Sequence, residues 1–212
     1  MNIAVIAANG RLGAAFVEAA LKAGHSIRAG VRGTNTLPNH PNLEIVTSDA
    51  TNPAEVKILL EGQTVVVSAI GHVKGSAADV QTVATKTILV VMQELGITRF
   101  VDVTGTGVRF PGDKISFVDW FLNTGVQFVD PNRVNDGKEH VKVLQASSAN
   151  WTTIRVLKLQ NVPPKAFSLR LNGPTKWYVG REEVAQAMLS VIEQNSFVKQ
   201  APIISKPTKA AL

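Results

Sequence analysis

Two glycines close to the amino terminus have the spacing of a phosphate-binding loop. Gly10 and Gly13 occupy the last two glycine positions of a G-x-x-G-x-x-G pattern, and Ala7 stands at the first. A glycine without a β-carbon lets backbone N–H groups approach a pyrophosphate at the positive end of a helix. Gly13 would let that helix pack on the preceding strand, and Ala7 is tolerable if its φ stays negative. We therefore predict a dinucleotide site, with the loop residues Ala8, Asn9, Gly10, Arg11, Leu12 and Gly13 as cofactor ligands.

The residues after the second predicted strand favour one dinucleotide over the other. An NAD site usually places Asp or Glu there, about 20 residues past the loop, for the ribose hydroxyls. No acidic residue occurs between Glu18 and Glu44, whereas Arg32 and Thr34 follow the strand. A guanidinium suits a 2′-phosphate. We expect NADP(H) to be favoured over NAD(H), with Arg32 and Thr34 as ligands and Arg11 as a neighbour.

Other side chains could act on a substrate. Asp136 and His140 lie one helical turn apart and could orient or protonate it. Alternatively, Asn135 or Asp136 caps a helix and His140 is exposed. His72 is expected to face the cofactor crevice, because it follows the fourth predicted strand, and the spacing of the histidines suggests no metal site.

Aromatic residues after the fifth predicted strand allow two interpretations. Phe110, Trp120 and Phe121 could form an apolar lid over a planar acceptor, or they could pack in the core. The predicted substrate-side residues are Thr106, Phe110, Asp136 and His140.

Hydrophobic runs alternate with helical periods through the first half of the chain. The runs NIAVIA, SIRAGV, LEIVTS, TVVVSAIG and RFVDVTGTG are predicted strands. The predicted helices are residues 12–23, residues 77–95 and TNPAEVKILLEG, which begins with Thr51 or Asn52 as its cap. This alternation predicts an α/β fold, a doubly wound parallel sheet with helices on both faces.

The second half is less regular. Its predicted elements are a helix over 138–147, the strand WTTIRVL, a helix over 181–194 and the short strand APIIS. We predict a single domain over residues 1–205, with a small substrate-side portion at about 105–180 and a flexible tail at 206–212.

Composition limits the classes of protein. The chain has 212 residues and no cysteine, which excludes disulfides, zinc thiolate sites and a cysteine nucleophile. Its net charge is +6, yet the basic residues are scattered and are not interleaved with aromatic residues, so we expect no nucleic-acid partner. No apolar run is long enough to cross a bilayer and no leader is evident, so a cytoplasmic protein without a membrane partner is expected. Oligomeric state is not indicated.

The motifs taken together resemble those of the atypical short-chain dehydrogenase/reductases. AANGRLG, VRG, SDATNP, VSAIG and RFVDVTGTG occur in that family's order and spacing, and LQASSANWTTIRV and VGREEVAQAML are similar to its later segments. The resemblance is to the NAD(P)H-binding group that includes flavin and biliverdin reductases and NmrA-like proteins. It implies a Rossmann-like sheet, and it places the following residues at the cofactor: Asp49 and Ala50 by the adenine, Ala69, Ile70 and Gly71 on the adenosine side, and Thr104 near the nicotinamide. The chain departs from the family after the sixth strand, where Val156 replaces proline behind Arg155.

The tyrosine–lysine pair with which most short-chain dehydrogenases protonate their substrate is missing. Tyr178, the one tyrosine, is followed four residues later by Glu182, and Lys138 is preceded at that spacing by Val134. Reduction of a flavin or quinone does not need this acid, because the protein need only hold nicotinamide and acceptor together. We expect an NADPH-dependent reductase of such a planar small-molecule acceptor. The alternative is a non-catalytic regulatory protein that senses NADP(H), as NmrA-like proteins are thought to do.

Overall fold

The computed structural model describes residues 1–73, 75–110, 113–114 and 131–207 of the chain. Trp120, Phe121 and most of the predicted tail lie outside these ranges. The strands are β1 (Asn2–Ile6), β2 (Ser26–Val31), β3 (Leu43–Thr47), β4 (Val65–Ser68), β5 (Arg99–Gly105), β6 (Asn150–Val156), β7 (Leu159–Gln160), β8 (Ser168–Arg170), β9 (Val179–Gly180) and β10 (Ile203–Ser205). The helices of the described ranges are α1 (Arg11–Lys22), α2 (Pro53–Leu60), α3 (Val80–Glu94), α4 (Pro131–Ala146) and α5 (Arg181–Glu193).

Eight strands form one sheet in the order β3-β2-β1-β4-β5-β6-β10-β8. Its neighbouring strands are parallel except for β10 and β8, which are antiparallel. The order reverses direction between β1 and β4, and doubly wound sheets bind ligands in the crevice at such a point. The predicted α/β fold is confirmed. The antiparallel edge strand and a separate two-stranded sheet of β7 and β9 were not predicted.

Helices cover both faces of the sheet. Ile3 of β1 packs in one cluster with Phe16 of α1 and Met188 of α5, whereas Ala4 packs in the opposite cluster with Met92 of α3. Successive residues of a strand point to opposite faces. Burial on both faces explains why β1 is apolar throughout, as is typical of a parallel sheet.

Helix α4 begins at Pro131, earlier than the predicted start at Lys138. Proline is compatible with a first turn, where its missing N–H leaves no bond unmade. Asn135 and Asp136 therefore lie inside the helix, and the prediction that one of them is its N-cap is wrong. Gly137 allows α4 to approach β5, because a β-carbon there would lie 3.1 Å from the Thr104 hydroxyl.

The backbone at Ala7 differs from expectation. Its φ is +57°, in the left-handed region, so the condition of a negative φ under which alanine would be tolerated is not met. The Ala7 carbonyl turns to accept a hydrogen bond from the Gly10 N–H, at 3.0 Å. Alanine therefore occupies a turn geometry in which glycine is favoured.

We predict that Ala7→Gly stabilises the protein. The left-handed conformation costs a non-glycine residue about 1–2 kcal/mol, part of which is offset by the greater freedom of glycine in the unfolded chain. The free energy of unfolding should rise by up to about 1 kcal/mol, measured by urea denaturation. Ala8→Gly is the matched control, since Ala8 is buried without a positive φ and should lose stability. A less stable Ala7→Gly protein would contradict the prediction.

Candidate functional site

The amino-terminal end of α1 faces the switch-point crevice without a side-chain cap. Gly10 is the N-cap residue and makes no side-chain hydrogen bond, and the first turn contains no acidic residue. The N–H groups of this turn have no intrahelical partner, and the helix dipole makes the region positive. This is the arrangement that a phosphate group would complete.

Gly13 holds the loop against the helix. A β-carbon on Gly13 would overlap the Ala7 carbonyl oxygen and come within 2.8 Å of the Ala8 Cα. The Ala8 N–H also donates to the Gly30 carbonyl of β2, at 3.0 Å. The loop is thus packed on backbone atoms from both sides, and the close helix–strand contact expected at Gly13 is present.

Residues from three connections meet beside the carboxyl end of β2. Asn9 Nδ2 donates to the Thr34 carbonyl at 3.1 Å, which joins the phosphate loop to the segment after β2. Arg32 Nη1 lies 3.5 Å from Asp49 Oδ2, and both side chains are partly exposed. The predicted ligands Asn9, Arg32, Thr34 and Asp49 are therefore close to one another.

Asp49 supplies a carboxylate near the carboxyl end of β2, where the neighbouring sequence contains no acidic residue. The backbone N–H and hydroxyl of Thr51 donate to its carboxylate at 2.9 and 2.7 Å. These bonds, the backbone one first, and the nearby Arg32 lower the pKa of Asp49 despite some burial. An ionised carboxylate does lie near the end of β2, supplied from beyond β3. The sequence prediction, which counted only residues between Glu18 and Glu44, did not include this carboxylate, and the preference for NADP(H) stays a prediction.

The ends of β4 and β5 form the other wall of the crevice. Gln81 Nε2 donates to the Ile70 carbonyl at 3.0 Å, which fixes the turn of Ala69, Ile70 and Gly71 onto α3. Thr104 is buried near the end of β5, against Gly137 of α4. This wall brings the β4 turn, Thr104 and α4 together.

Asp136 makes contacts that the sequence did not suggest. Its side chain is fully buried and accepts hydrogen bonds from the backbone N–H groups of Gln81 and Thr82, at 2.8 and 2.9 Å, and from the Thr82 hydroxyl at 2.5 Å. It also lies 2.8 Å from His72 Nε2. Asp136 of α4 thus caps the first turn of α3. The predicted pair of Asp136 with His140 is not formed.

His140 pairs instead with Asp102 of β5 through its Nε2 atom. The His140 side chain is 1% exposed, so the alternative prediction of an exposed histidine is also wrong. Burial favours the neutral imidazole, but the Asp102 carboxylate outweighs it and raises the pKa of His140. The polar groups of His140 and Asp136 are bonded to these protein partners, and their role toward a substrate stays a prediction.

Phe110 packs between two side chains of the sheet. Its ring centroid is 6.1 Å from that of Trp151 and 5.0 Å from the Arg155 guanidinium carbon. Arg155 forms a bidentate ion pair with Asp113, whose carboxylate also accepts from the Phe110 N–H at 2.9 Å. The contacts of Phe110 are those of core packing. Asp113 was missed in the sequence, where no local signal marks it.

The structure also gives the surroundings of Thr106, a predicted substrate-side residue, and of two residues considered for the tyrosine–lysine pair. Thr106 is buried beside β6, and its N–H donates to the Val156 carbonyl at 3.0 Å. Tyr178 is 37% exposed just before β9, and Lys165 Nζ lies 5.8 Å from the centre of its ring. Val134 is buried one turn before Lys138 on α4.

These features lie along the crevice at the switch point of a doubly wound sheet, where folds of this class bind their ligands. A family model described as NAD(P)H-binding matches residues 7–195, and the chain belongs to this NAD(P)H-binding family. A 3-beta-hydroxysteroid dehydrogenase of Mycolicibacterium neoaurum is 29% identical over 141 residues, 61% of this chain. The match spans 38% of the length of that dehydrogenase.

Solved structures share the fold. A short-chain dehydrogenase/reductase from Veillonella parvula in complex with NADP has a TM-score of 0.81 at 18% identity, over 97% of this chain and 94% of that one. ChuY from Escherichia coli O157:H7, an anaerobillin reductase, has a TM-score of 0.78 at 18% identity over the whole of both chains. The oxidoreductase ylbE from Lactococcus lactis has a TM-score of 0.80 at 14% identity, over 99% and 93%. The predicted NAD(P)H-binding family is confirmed by the family model, and the structures of short-chain dehydrogenase/reductases show the same fold.

Two features are absent from the described ranges of the chain. None of their helices is both long and apolar enough to span a bilayer. Their histidine and acidic residues form no group of three that could hold a metal ion.

We predict that the buried His140–Asp102 pair makes stability depend on pH. Because folding raises the pKa of His140, its contribution is complete below the unfolded value near 6.5 and is lost as pH rises through the folded value. Between these values stability should fall by up to about 1.4 kcal/mol per pH unit. The double variant Asp102→Asn/His140→Gln should lack this slope in urea denaturation at a series of pH values. An unchanged slope would assign the dependence to other groups.

Proposed function

We propose that this protein is an NADPH-dependent reductase of a planar acceptor such as a flavin or a quinone. The observation that carries the proposal is the crevice itself. It has an uncapped α1 terminus on one side and Thr104 on the other, and buried Val134 stands one turn before Lys138. A hydride-transfer site without a tyrosine at this position suits acceptors that are electron-poor.

The chain's own residues would bind and orient the cofactor. The free N–H groups of the first turn of α1 would hold the pyrophosphate, Arg32 the 2′-phosphate, and Thr104 the nicotinamide side. When bound, NADPH supplies a hydride from its nicotinamide. The protein then contributes chiefly by holding an acceptor face to face with that ring and by excluding water.

The comparisons support a reductase. The family binds NAD(P)H, one structure of the same fold contains NADP, and ChuY is described as a reductase. The proposal extends that class of activity to this chain. The matched dehydrogenase is much longer than the matching segment, so its steroid substrate is not carried over.

We predict turnover of NADPH with flavin or quinone that does not depend on Tyr178. FMN, riboflavin and menadione should each be tested as acceptors by NADPH absorbance. Tyr178→Phe should keep the wild-type rate, because the ring contacts Lys165 through its face and not as part of an acid–lysine pair. A loss beyond about tenfold, or 1.4 kcal/mol of barrier, would contradict this.

The same assay distinguishes the reductase from a sensor of the cofactor. A protein that binds NADPH tightly in a titration, yet oxidises none with any acceptor, would favour the non-catalytic sensing function.

We further predict that Arg32 selects NADPH. A charge-assisted contact to the 2′-phosphate is worth about 1.5–3 kcal/mol, so NADPH should bind roughly tenfold to a hundredfold more tightly than NADH. Arg32→Ala should weaken NADPH by that factor. It should leave NADH unchanged or slightly stronger, because Asp49 loses its cationic neighbour and is freed for the ribose hydroxyls.

The measurement is the pair of dissociation constants at low and high salt, since exposed ion pairs are screened. Lys57→Ala is the control, because it removes one positive charge from the exposed face of α2. Equal losses for both cofactors in Arg32→Ala would show that Arg32 supports the loop and does not recognise the phosphate.

A further inference from the structure

A histidine–aspartate pair lies at the end of β4 and has no place in cofactor binding. His72 Nε2 is 2.8 Å from Asp136 Oδ2, and the His72 side chain is 11% exposed. The histidine follows the turn that is bonded to α3 through Gln81. The pair is therefore partly open to solvent on the histidine side and closed on the aspartate side.

The contacts of Asp136 determine which nitrogen of His72 carries its proton. Both carboxylate oxygens already accept from the first turn of α3, so Asp136 acts as an acceptor only. His72 Nε2 must then donate to it. No group in the described part of the chain bonds to His72 Nδ1, which is left available for a ligand.

The pair stands at the wall of the crevice that the nicotinamide would occupy. Asp136 is followed by Gly137, which packs on the Thr104 hydroxyl at the end of β5. His72 lies at the end of β4, which is adjacent to β5 in the sheet. Because Asp136 bonds to His72 and its neighbour Gly137 packs on Thr104, the pair and Thr104 belong to the same wall of the crevice.

We propose that His72 is the proton donor of the reduction and that Asp136 is its positioning residue. This inference rests on the proposed reductase function and narrows its substrate to a quinone or a conjugated carbonyl compound. Such acceptors develop negative charge on an oxygen as they are reduced, and a positioned acid stabilises that charge. The histidine would replace the tyrosine that is absent from α4.

Bound NADPH would supply two electrons and one hydrogen to the acceptor as a hydride and leave as NADP⁺, while the acceptor oxygen would take a proton from Nδ1 of the His72 imidazolium. The Nδ1–H bond breaks, an O–H bond forms, and the neutral imidazole keeps its Nε2–H bonded to Asp136. Solvent then returns a proton to Nδ1 through the exposed edge of the ring.

Other charged groups lie near the His72–Asp136 pair. Arg133 of α4 donates to the His72 carbonyl at 3.5 Å. The His140–Asp102 pair lies behind Asp136, and the Asp136 carboxylate contributes to the raised pKa of His140.

The test is His72→Gln, whose amide can keep a hydrogen bond to Asp136 but cannot donate a proton. NADPH oxidation with menadione should fall about a hundredfold, as expected for loss of a general acid. Oxidation with FMN should be retained, since reduced flavin is stable as an anion near neutral pH. NADPH affinity should be unchanged, and His40→Gln, an exposed histidine after β2, should behave as wild type.

A second measurement needs neither cofactor nor turnover. Side-chain ¹⁵N NMR of the cofactor-free protein should show His72 with its proton on Nε2, and Asp136→Asn should abolish that preference. A mixed tautomer in wild type would overturn the positioning role.

Each outcome of the rate assay has a distinct meaning. If His72→Gln reduces menadione as fast as wild type, the proton donor is refuted while the reductase function stands. Equal losses with menadione and FMN would show that His72 binds the ligand instead, which also refutes the proposal. Wild-type protein that binds NADPH but reduces neither acceptor would refute the reductase function and the proton donor with it.

Discussion

The carboxylate of Asp136 joins three parts of the molecule that are far apart in sequence. It satisfies the first N–H groups of α3, which receive no side-chain cap from their own residue Asp79, and it holds His72 at the end of β4. A buried carboxylate is costly unless its oxygens are saturated with donors, and this one is. The helix dipole of α3 adds to the same effect. The spacing between α3, α4 and the β4 turn, and with it one wall of the crevice, follows from this group.

The opposite wall is governed by unbalanced positive charge. The first turn of α1 lacks an acidic residue, and Arg11 begins it. Arg181 begins α5, where burial and the neighbouring Arg11 lower its pKa. Two cationic side chains therefore lie near each other, each at the positive end of its own helix, and Arg11 disfavours the charge of Arg181. An anion placed near them would favour the charged form of Arg181, whose guanidinium donates to the side-chain oxygen of the exposed Asn161.

Features encoded by neighbouring residues were predictable, and features formed by distant residues were not. The Asn52 cap of α2 follows directly from TNP, and one of the two proposed caps proved right when Asn52 Oδ1 was found to accept from the Ala54 N–H. The apolar strands likewise identify a parallel sheet without further information. By contrast, the spacing of Asp136 and His140 indicated that the two side chains form a pair. They do not, because each is buried against a different partner. Their true partners, His72 and Asp102, are 64 and 38 residues away. Asp49 and Arg32 are also distant in sequence. They lie close together because Asp49 follows β3, Arg32 follows β2, and the two strands pair.

The close packing at Gly13 has a consequence for the timing of recognition. With the loop pressed between the α1 backbone and β2, the chain has little room to rearrange around a ligand. The ordering entropy of these residues is lost at folding and not at binding, which is the advantage of a preorganised site. Encounter with a dinucleotide should then be a single step without a slow loop closure at its phosphate end. Differences in affinity among related dinucleotides would accordingly appear in the dissociation rate constants, whereas the association rate constants would differ little.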